Sequence, residues 1–410
     1  MRHSVIIILI NVLLNTNSYA QTVNFYYDRG VEKLKSEKYE EAIKDFDYVT
    51  EHYPDYFEAY NDRGLSRLAL NDIEGAFTDF TKSIEVNPEY LKAYMNRAHL
   101  YHKQNKALKA IDDYSKVISI QPKLIEAFEK RGEIYFEIKK YQQARSDLEK
   151  AIIRKSKNPK NYYILALISI ENKNYNKAIL QLNDLIRLSP EDANAFYQRG
   201  ISKFYIEKYS ESKQDLYKAV QYGIDTKDLY IFRARVNFET AQWEQALSDY
   251  SYLIDSLRQK DAENYVYRGI AKKETGNLMA AIKDFSKAIA RDRSNATAYF
   301  ERGECYSKLK KDIQAQRDFE DAIERKPDCY RAYFKKAVFE FDRRRFEEAV
   351  KDFSKSLKYN PNDMESLYLR GASYFELGEK KDACKDLEKA SALGHEEAKK
   401  DHYRLCYGVK

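Results

Sequence analysis

Apolar and polar residues recur along this chain with a helical period, and the pattern as a whole repeats about every 34 residues. Residues 57–90 show one unit, in which Ala76 follows Gly64 by twelve residues, Phe80 comes four residues later and Pro88 closes the unit. Small residues at two fixed places let two helices approach closely, and proline ends a helix because it lacks the amide hydrogen. The pattern therefore predicts two helices joined by a turn in every unit.

Eleven such units follow one another, if the small residue of the first helix is taken as the marker. The markers are Gly30, Gly64, Ala98, Gly132, Ala166, Gly200, Ala234, Gly269, Gly303, Ala337 and Gly371. Nine of the ten intervals are 34 residues and the one before Gly269 is 35. Within an array at 21–397, the predicted units are 23–56, 57–90, 91–124, 125–158, 159–192, 193–226, 227–261, 262–295, 296–329, 330–363 and 364–397. Each unit can bury its apolar faces only against its neighbours, so we expect one stacked array.

The repeat resembles the tetratricopeptide repeat, with tyrosine or phenylalanine where that family has tryptophan. This resemblance implies an all-α, right-handed superhelical solenoid whose first helices line a concave groove. The stretch 382–400 resembles Sel1-like repeats, and residues 395–406 read as one further helix. We predict that residues 398–410 form a C-terminal capping helix and tail, because the last unit of a solenoid has an apolar face to cover.

A cation precedes the marker in ten units, and an aspartate follows that cation by sixteen residues in each of them. The remaining unit has Leu165 and Gln181 at these places, so both charges are absent together. We interpret the pairs as latches between helices, and thus as structural charges and not ligand contacts. They include Arg63 with Asp79, Arg97 with Asp113, and Arg131 with Asp147.

The first twenty residues differ from the repeats. A cationic start precedes the apolar run 5–14, and residues 18–20 suit signal-peptidase cleavage before Gln21. The run is short for a membrane span. We therefore expect residues 1–20 to be a signal peptide, and the mature chain to be exported without a stable membrane anchor, to a periplasm or into the medium.

All four cysteines lie in the last quarter of the chain, where export would allow disulfides to form. Cys384 lies ten residues before Gly394 and Cys406 twelve residues after it, so an antiparallel hairpin at the glycine brings them side by side. We predict a disulfide between these two. Cys305 and Cys329 have no such geometric argument and are left unpaired.

Composition and motifs point away from catalysis. The net charge of +6 is small for 410 residues and gives no reason to expect nucleic acid. The chain has no phosphate-binding loop, nucleophile elbow or zinc-protease motif. His99 and His102 should share a helix face with Glu133 one unit on, but two histidines without a clear third ligand are more often surface residues. We expect a non-enzymatic protein with no cofactor and no metal.

The first-helix residues that would face the groove are the candidate ligand contacts. Aromatic anchors along such a groove suit an extended peptide or a partner helix, although packing between adjacent first helices explains any single one equally well. The candidates are Tyr163, Leu167, Tyr197, Ile201, Phe204, Tyr205, Ile231, Arg235, Phe238, Phe300, Phe334 and Phe341.

The resemblance therefore implies a scaffold that binds a protein or peptide partner in the cell envelope. The alternative is a module that binds envelope glycan or another small ligand. Cytosolic members of the family hold heat-shock-protein C-termini with a clamp of lysines and asparagines, and here Tyr27 and Val31 stand at its first places. The sequence leaves the partner and the oligomeric state open.

Overall fold

The computed structural model describes residues 22–407, and all the regular secondary structure in that range is helical. This confirms the predicted all-α fold of the solenoid type. The predicted signal peptide, residues 1–20, lies outside the described residues. The helices are α1 (22–35), α2 (Tyr39–His52), α3 (Phe57–Ala69), α4 (Ile73–Val86), α5 (Leu91–Lys103), α6 (Ala107–Ile120), α7 (Ile125–Glu137), α8 (Tyr141–Ile153), α9 (Pro159–Glu171), α10 (Tyr175–Leu188), α11 (Ala193–Tyr205), α12 (Tyr209–Gln221), α13 (Lys227–Glu239), α14 (Trp243–Ser251), α15 (Ala262–Glu274), α16 (Leu278–Arg291), α17 (Ala296–Lys308), α18 (Asp312–Arg325), α19 (Tyr330–Asp342), α20 (Phe346–Tyr359), α21 (Met364–Glu376), α22 (Lys380–Ala392) and α23 (Glu396–Cys406).

The pair α3 and α4 shows why the sequence forms these hairpins of helices. Asn71 reverses the chain in the left-handed region at φ 63°, and the Asp72 carboxylate accepts the Gly75 N–H at 2.9 Å as the N-cap of α4. Phe80 is fully buried, and a Cβ added at Gly64 would lie 2.7 Å from its ring. The glycine thus sets how closely the two helices approach.

The predicted latch partners are in contact in all ten units that carry them. Arg63 donates from Nε and Nη2 to the two carboxylate oxygens of Asp79 at 3.0 and 2.7 Å, and Asp79 is buried. Arg97 with Asp113 and Arg131 with Asp147 repeat this two-bond geometry. Each arginine therefore ties the first helix of a unit to the second.

The third arginine nitrogen reaches back to the preceding unit. Arg97 Nη1 donates to Thr81 Oγ1 at 3.3 Å and Arg131 Nη1 to Ser115 Oγ at 2.8 Å, in both cases sixteen residues earlier. Arg302 and Arg370 do the same with Ser286 and Ser354. A guanidinium has five N–H donors, so one side chain can join three helices, which a lysine cannot do in a fixed geometry.

The pair α9 and α10 has a neutral substitute for the latch. Leu165 is buried where the other units carry a cation. Ser169 Oγ and the Gln181 side-chain amide are hydrogen bonded at 2.8 Å. The two charges are therefore replaced together by an apolar residue and a neutral hydrogen bond.

The described residues divide into two compact parts, an N-terminal half that ends at Ala195 and a C-terminal half that begins at Phe196. The largest fully buried side chains of the first include Phe46, Phe80, Leu148 and Leu182. Those of the second include Tyr250, Phe285, Phe319 and Phe353. Most of them stand sixteen residues after a small marker, and they fill the space that the marker leaves open. None of the described helices is both long and apolar enough to cross a membrane.

The extra residue of the seventh unit coincides with a change of helix type. A π-helical turn at Tyr252–Ser256 continues α14, and two of its own residues, Leu253 and Ile254, are buried. A π-helix takes up one more residue per turn than an α-helix. The insertion is thus placed partly within the helix, immediately before the loop that leads to α15.

The C-terminal end packs back on the last pair of helices. Cys384 in α22 and Cys406 in α23 are joined by a disulfide, and Gly394 adopts φ 102° in the turn between these helices. The helix Glu396–Cys406 lies within the predicted helix at 395–406, and His395 Nδ1 accepts the Ala398 N–H as its N-cap. Tyr368 donates to Asp401 at 3.2 Å and fixes the other end of the contact.

Candidate functional site

Two of the predicted groove residues belong to the core. Ile201 is 8% exposed and Phe300 is 3% exposed, so neither offers a free side chain to a partner. Phe300 packs on Phe319 with ring centroids 5.7 Å apart and lies under the Arg331 guanidinium at 4.3 Å. The reason is stacking: the next first helix and its long cation cover the ring.

Four other predicted residues are half-buried in packing contacts. Tyr163 packs at the edge of the cluster around Ala166 and Leu182, and Leu167 is half-buried on the same helix. In the C-terminal half, Phe334 packs against Phe353, and the rings of Phe341 and Phe346 are 5.7 Å apart. Each of these side chains keeps only part of its surface for a ligand.

The remaining candidates lie on α11 and α13, in the C-terminal half. The Phe204 ring packs edge-to-face on Phe232 at 5.6 Å, and Tyr205 packs on the same ring at 6.0 Å. Tyr209 adds a further ring 5.5 Å from Phe204. Tyr205 is 51% exposed, and so it is the most open ring of the group.

A second group of rings joins α13 to α14 and α15. The Phe238 ring lies 5.3 Å from Trp243 and 4.9 Å from Tyr267, and Tyr267 stacks on Tyr250 at 5.5 Å with 12° between the planes. Arg235, on the same helix α13, lies against the first group, with its guanidinium 5.4 Å from the Phe204 ring centroid. We name Phe204, Tyr205, Tyr209, Phe232, Phe238 and Trp243 the aromatic face.

Ile231 and Tyr197, the last two predicted residues, flank this region. Ile231 is half-buried against the cluster of Ala234 and Tyr250, and Tyr197 is half-buried on α11. The sequence prediction missed four rings that lie outside the expected groove positions, namely Tyr209, Phe232, Trp243 and Tyr267. The chain has one tryptophan, and its position at the start of α14 was the available signal.

Charged first-helix residues at α15, α17 and α19 neutralise one another. The Lys273 ammonium lies 2.6 Å from Glu301 Oε2 and 3.6 Å from Glu304 Oε2, and Lys335 lies 2.9 Å from Glu304 Oε1. Burial opposes the charge of Glu304, but Lys335, Lys273 and Arg331 together hold its pKa below the usual value. This network stabilises the helix stack and offers no unpaired charge at its centre.

The histidine pair of the N-terminal half, His99 and His102, does not form a metal centre. His102 Nε2 contacts Glu137 Oε2 at 2.6 Å, whereas Glu133 pairs with Lys160 at 2.8 Å. No group of three or more His, Cys, Asp or Glu side chains within 22–407 could hold a metal ion. In the C-terminal half, burial raises the pKa of the Cys305 thiol to about 12, so this thiol stays protonated and unreactive.

Family models for the tetratricopeptide repeat match the array over most of its length. One matches residues 27–83, 129–193, 268–311, 314–357 and 340–396, and two others match residues 91–124 and 296–329. Together these segments cover more than half of the chain. The chain belongs to the tetratricopeptide repeat family. Proteins of this family are generally scaffolds for protein interactions and generally have no catalytic activity.

Solved tetratricopeptide repeat structures resemble the chain in fold. A tetratricopeptide repeat protein from Parabacteroides merdae is 18% identical over 66% of this chain and 99% of its own, with a TM-score of 0.42. YrrB, described as having an unusual peptide-binding site, is 23% identical over 45% of this chain and 95% of its own, with a TM-score of 0.42. Yeast Tom70 is 16% identical over 95% of both chains, with a TM-score of 0.39. No curated protein matches the chain.

Proposed function

We propose that this tetratricopeptide repeat protein is an exported scaffold that binds an extended peptide segment of an envelope protein through the aromatic face of its C-terminal half. The observation that carries the proposal is the presence of two groups of contacting rings on α11 to α14, four rings around Phe204 and the pair Phe238 and Trp243, with Tyr205 half-exposed. Rigid aromatic side chains give large contact area at little cost in conformational entropy.

The geometry favours an extended segment over a small molecule. The rings spread over four helices, and their edge-to-face contacts hold them in fixed orientations. An extended chain can place alternate side chains against successive rings while its backbone stays partly hydrated. A glycan could also stack on such rings, and this remains the alternative.

Export rests on two features that support each other. The signal-peptide pattern of residues 1–20 predicts passage across a membrane, and the Cys384–Cys406 disulfide suits an oxidising compartment. The resemblance of the C-terminal end to Sel1-like repeats stays a prediction. Fractionation of cells that carry an epitope-tagged chain tests the location: recovery with the cytosol would contradict export, and recovery with the periplasm would support it.

Binding can be tested with the mature chain, residues 21–410, against a phage-displayed library of random dodecapeptides. We expect enrichment of peptides, and we expect Tyr205→Ala to weaken the enriched peptides by about tenfold, since an exposed aromatic anchor contributes roughly 1–2 kcal/mol. The matched control is Tyr403→Ala, because Tyr403 is 66% exposed on the capping helix.

The outcomes separate the two candidate functions. Peptide enrichment that Tyr205→Ala reduces and Tyr403→Ala leaves intact supports the peptide scaffold. A mature chain that enriches no peptide but binds purified envelope glycan, again through Tyr205, supports the alternative. Equal effects of the two tyrosine substitutions would remove the aromatic face from the site.

A further inference from the structure

The aromatic face is bordered by more negative than positive charge. Glu207, Glu239 and Glu263 are exposed at its edge and form no ion pair within 4.0 Å with any residue from 22 to 407. The cations beside it are Arg235, whose guanidinium lies 5.4 Å from the Phe204 ring centroid, and Lys208, the residue before Tyr209, whose ammonium lies 3.9 Å from Glu211. The nearby ammonium of Lys203 is 2.9 Å from Asp215 and is already neutralised.

Two of the carboxylates lie one helical turn from residues of this region: Glu239 follows Arg235 by four residues on α13, and Glu263 precedes Tyr267 by four residues on α15. Burial raises the pKa of Tyr209, and Glu239 and Glu207 raise it further. Burial also raises the pKa of Tyr267, and Glu263 and Glu239 add to that effect while Arg235 opposes it. Rings and carboxylates therefore share one small region of α11 to α15.

Tyr250, which stacks on Tyr267, has a hydroxyl without a hydrogen-bond partner among residues 22–407. Tyr250 is 1% exposed, and its hydroxyl finds no hydrogen bond among the described residues. Its pKa is raised well above the usual value, first by burial, then by Tyr267, Glu263 and Glu239, while Arg235 lowers it. A buried hydroxyl without a partner is costly.

This local charge contrasts with the rest of the chain and with the neighbouring helices. The whole sequence has a net charge of +6. The charged first-helix residues of α15, α17 and α19 are compensated through Lys273, Glu304 and Lys335. Carboxylates without an ion-pair partner, beside a group of rings of which Tyr205 is exposed, are a combination that binds a cationic side chain, through cation–π contact and charge-assisted hydrogen bonds.

We infer that the aromatic face takes a lysine or arginine side chain of the bound peptide, held against the rings by Glu239 and Glu263. The inference rests on the proposed function, since it names the chemistry of the segment that the scaffold binds. Arg235 shows that a cation is accommodated on these rings. It lies over Phe204, and Tyr205 is the exposed ring left to the incoming side chain.

The test uses the same random dodecapeptide library with the mature chain and with the double variant Glu239→Gln, Glu263→Gln. We expect lysine and arginine to be enriched at one position of the peptides bound by the unsubstituted chain, and to lose that enrichment with the double variant. Glu388→Gln on α22 is the control, because Glu388 is an exposed glutamate far from the rings in the sequence.

Affinity of one enriched peptide then gives the magnitude. Replacing its enriched lysine or arginine by glutamine should weaken binding to the unsubstituted chain by about tenfold, and should change binding to the double variant by less than about threefold. The unsubstituted chain should also bind more weakly at high salt.

The failures are distinguishable. If no peptide is enriched at all, the proposed function falls and the inference falls with it. If peptides are enriched without an excess of lysine or arginine, or if the double variant keeps the full preference, the inference is wrong and the scaffold function stands. Because both glutamates are exposed, their replacement by glutamine leaves the fold intact, and a circular dichroism spectrum checks this.

Discussion

Arg63 and Asp79 form a two-hydrogen-bond ion pair between α3 and α4, and the third nitrogen of the same guanidinium donates to Asp47 at 2.8 Å. Asp47 belongs to the second helix of the preceding unit. One side chain thus connects the two helices of its own unit and the unit before it. Because the pair recurs at the repeat period, the array carries a line of such junctions.

Removing the cation of a junction should destabilise the protein strongly. Arg63→Met removes the two-bond partner of the buried Asp79 carboxylate, which keeps one bond from Arg67 Nη1 at 2.8 Å, and we expect a loss of about 2 kcal/mol in the free energy of unfolding. Urea unfolding followed by circular dichroism measures it. The control is Lys82→Met, which breaks an exposed pair with Glu85 and should cost less than about 0.5 kcal/mol. Equal stability of Arg63→Met and the unsubstituted chain would contradict the structural role of the latch.

The neutral pair α9 and α10 allows the latch to be rebuilt. Leu165→Arg alone places a charge among buried residues, and Gln181→Asp alone adds an unpaired carboxylate, so each should destabilise. The double variant should recover part of the loss, with a coupling free energy of about 2 kcal/mol. A double-mutant cycle from urea titrations gives this value, and additive single effects would show that the backbone of this unit does not permit the latch.

The disulfide should stabilise the C-terminal end. It closes a segment of 22 residues, so we expect Cys384→Ser with Cys406→Ser to lower the stability of this end by about 3 kcal/mol. Hydrogen exchange of α23 locates the effect. Dithiothreitol should destabilise the unsubstituted chain and leave the double variant unchanged. If the reductant affects both to the same extent, the loss has another origin.

Glu304 should contribute stability that acid removes. Its folded-state pKa lies below the usual 4.5, because Lys335, Lys273 and Arg331 outweigh the effect of burial. A carboxyl group of lowered pKa stabilises the fold above its unfolded-state pKa, and this contribution is lost as the pH falls through the folded-state value. Glu304→Gln should therefore be less stable than the unsubstituted chain at pH 7, and the difference should shrink towards pH 3. The control is Glu388→Gln, for which urea titrations should show no such pH-dependent difference.

Much of the fold follows from relations within one unit. The distance from Gly64 to Phe80 and from Arg63 to Asp79 is sixteen residues, and a hairpin of two helices of fixed length brings such positions together whatever surrounds it. Leu165 and Gln181 support this interpretation, because the one unit that lacks the cation also lacks the aspartate. The same local logic applies to Cys384 and Cys406 on either side of Gly394, which the structure joins.

The surface open to a partner depends on packing between units. The sequence placed Tyr205, Phe300 and Ile201 in one class, because they occupy similar positions in their first helices. Only the tertiary structure separates the half-exposed Tyr205 from the two buried residues, and it adds Phe232 and Trp243 to the aromatic face. The sequence alone thus determined the helix pairs, whose period is set by the backbone. Exposure is decided by how far each helix covers its neighbour, which varies with the size of the side chains between them.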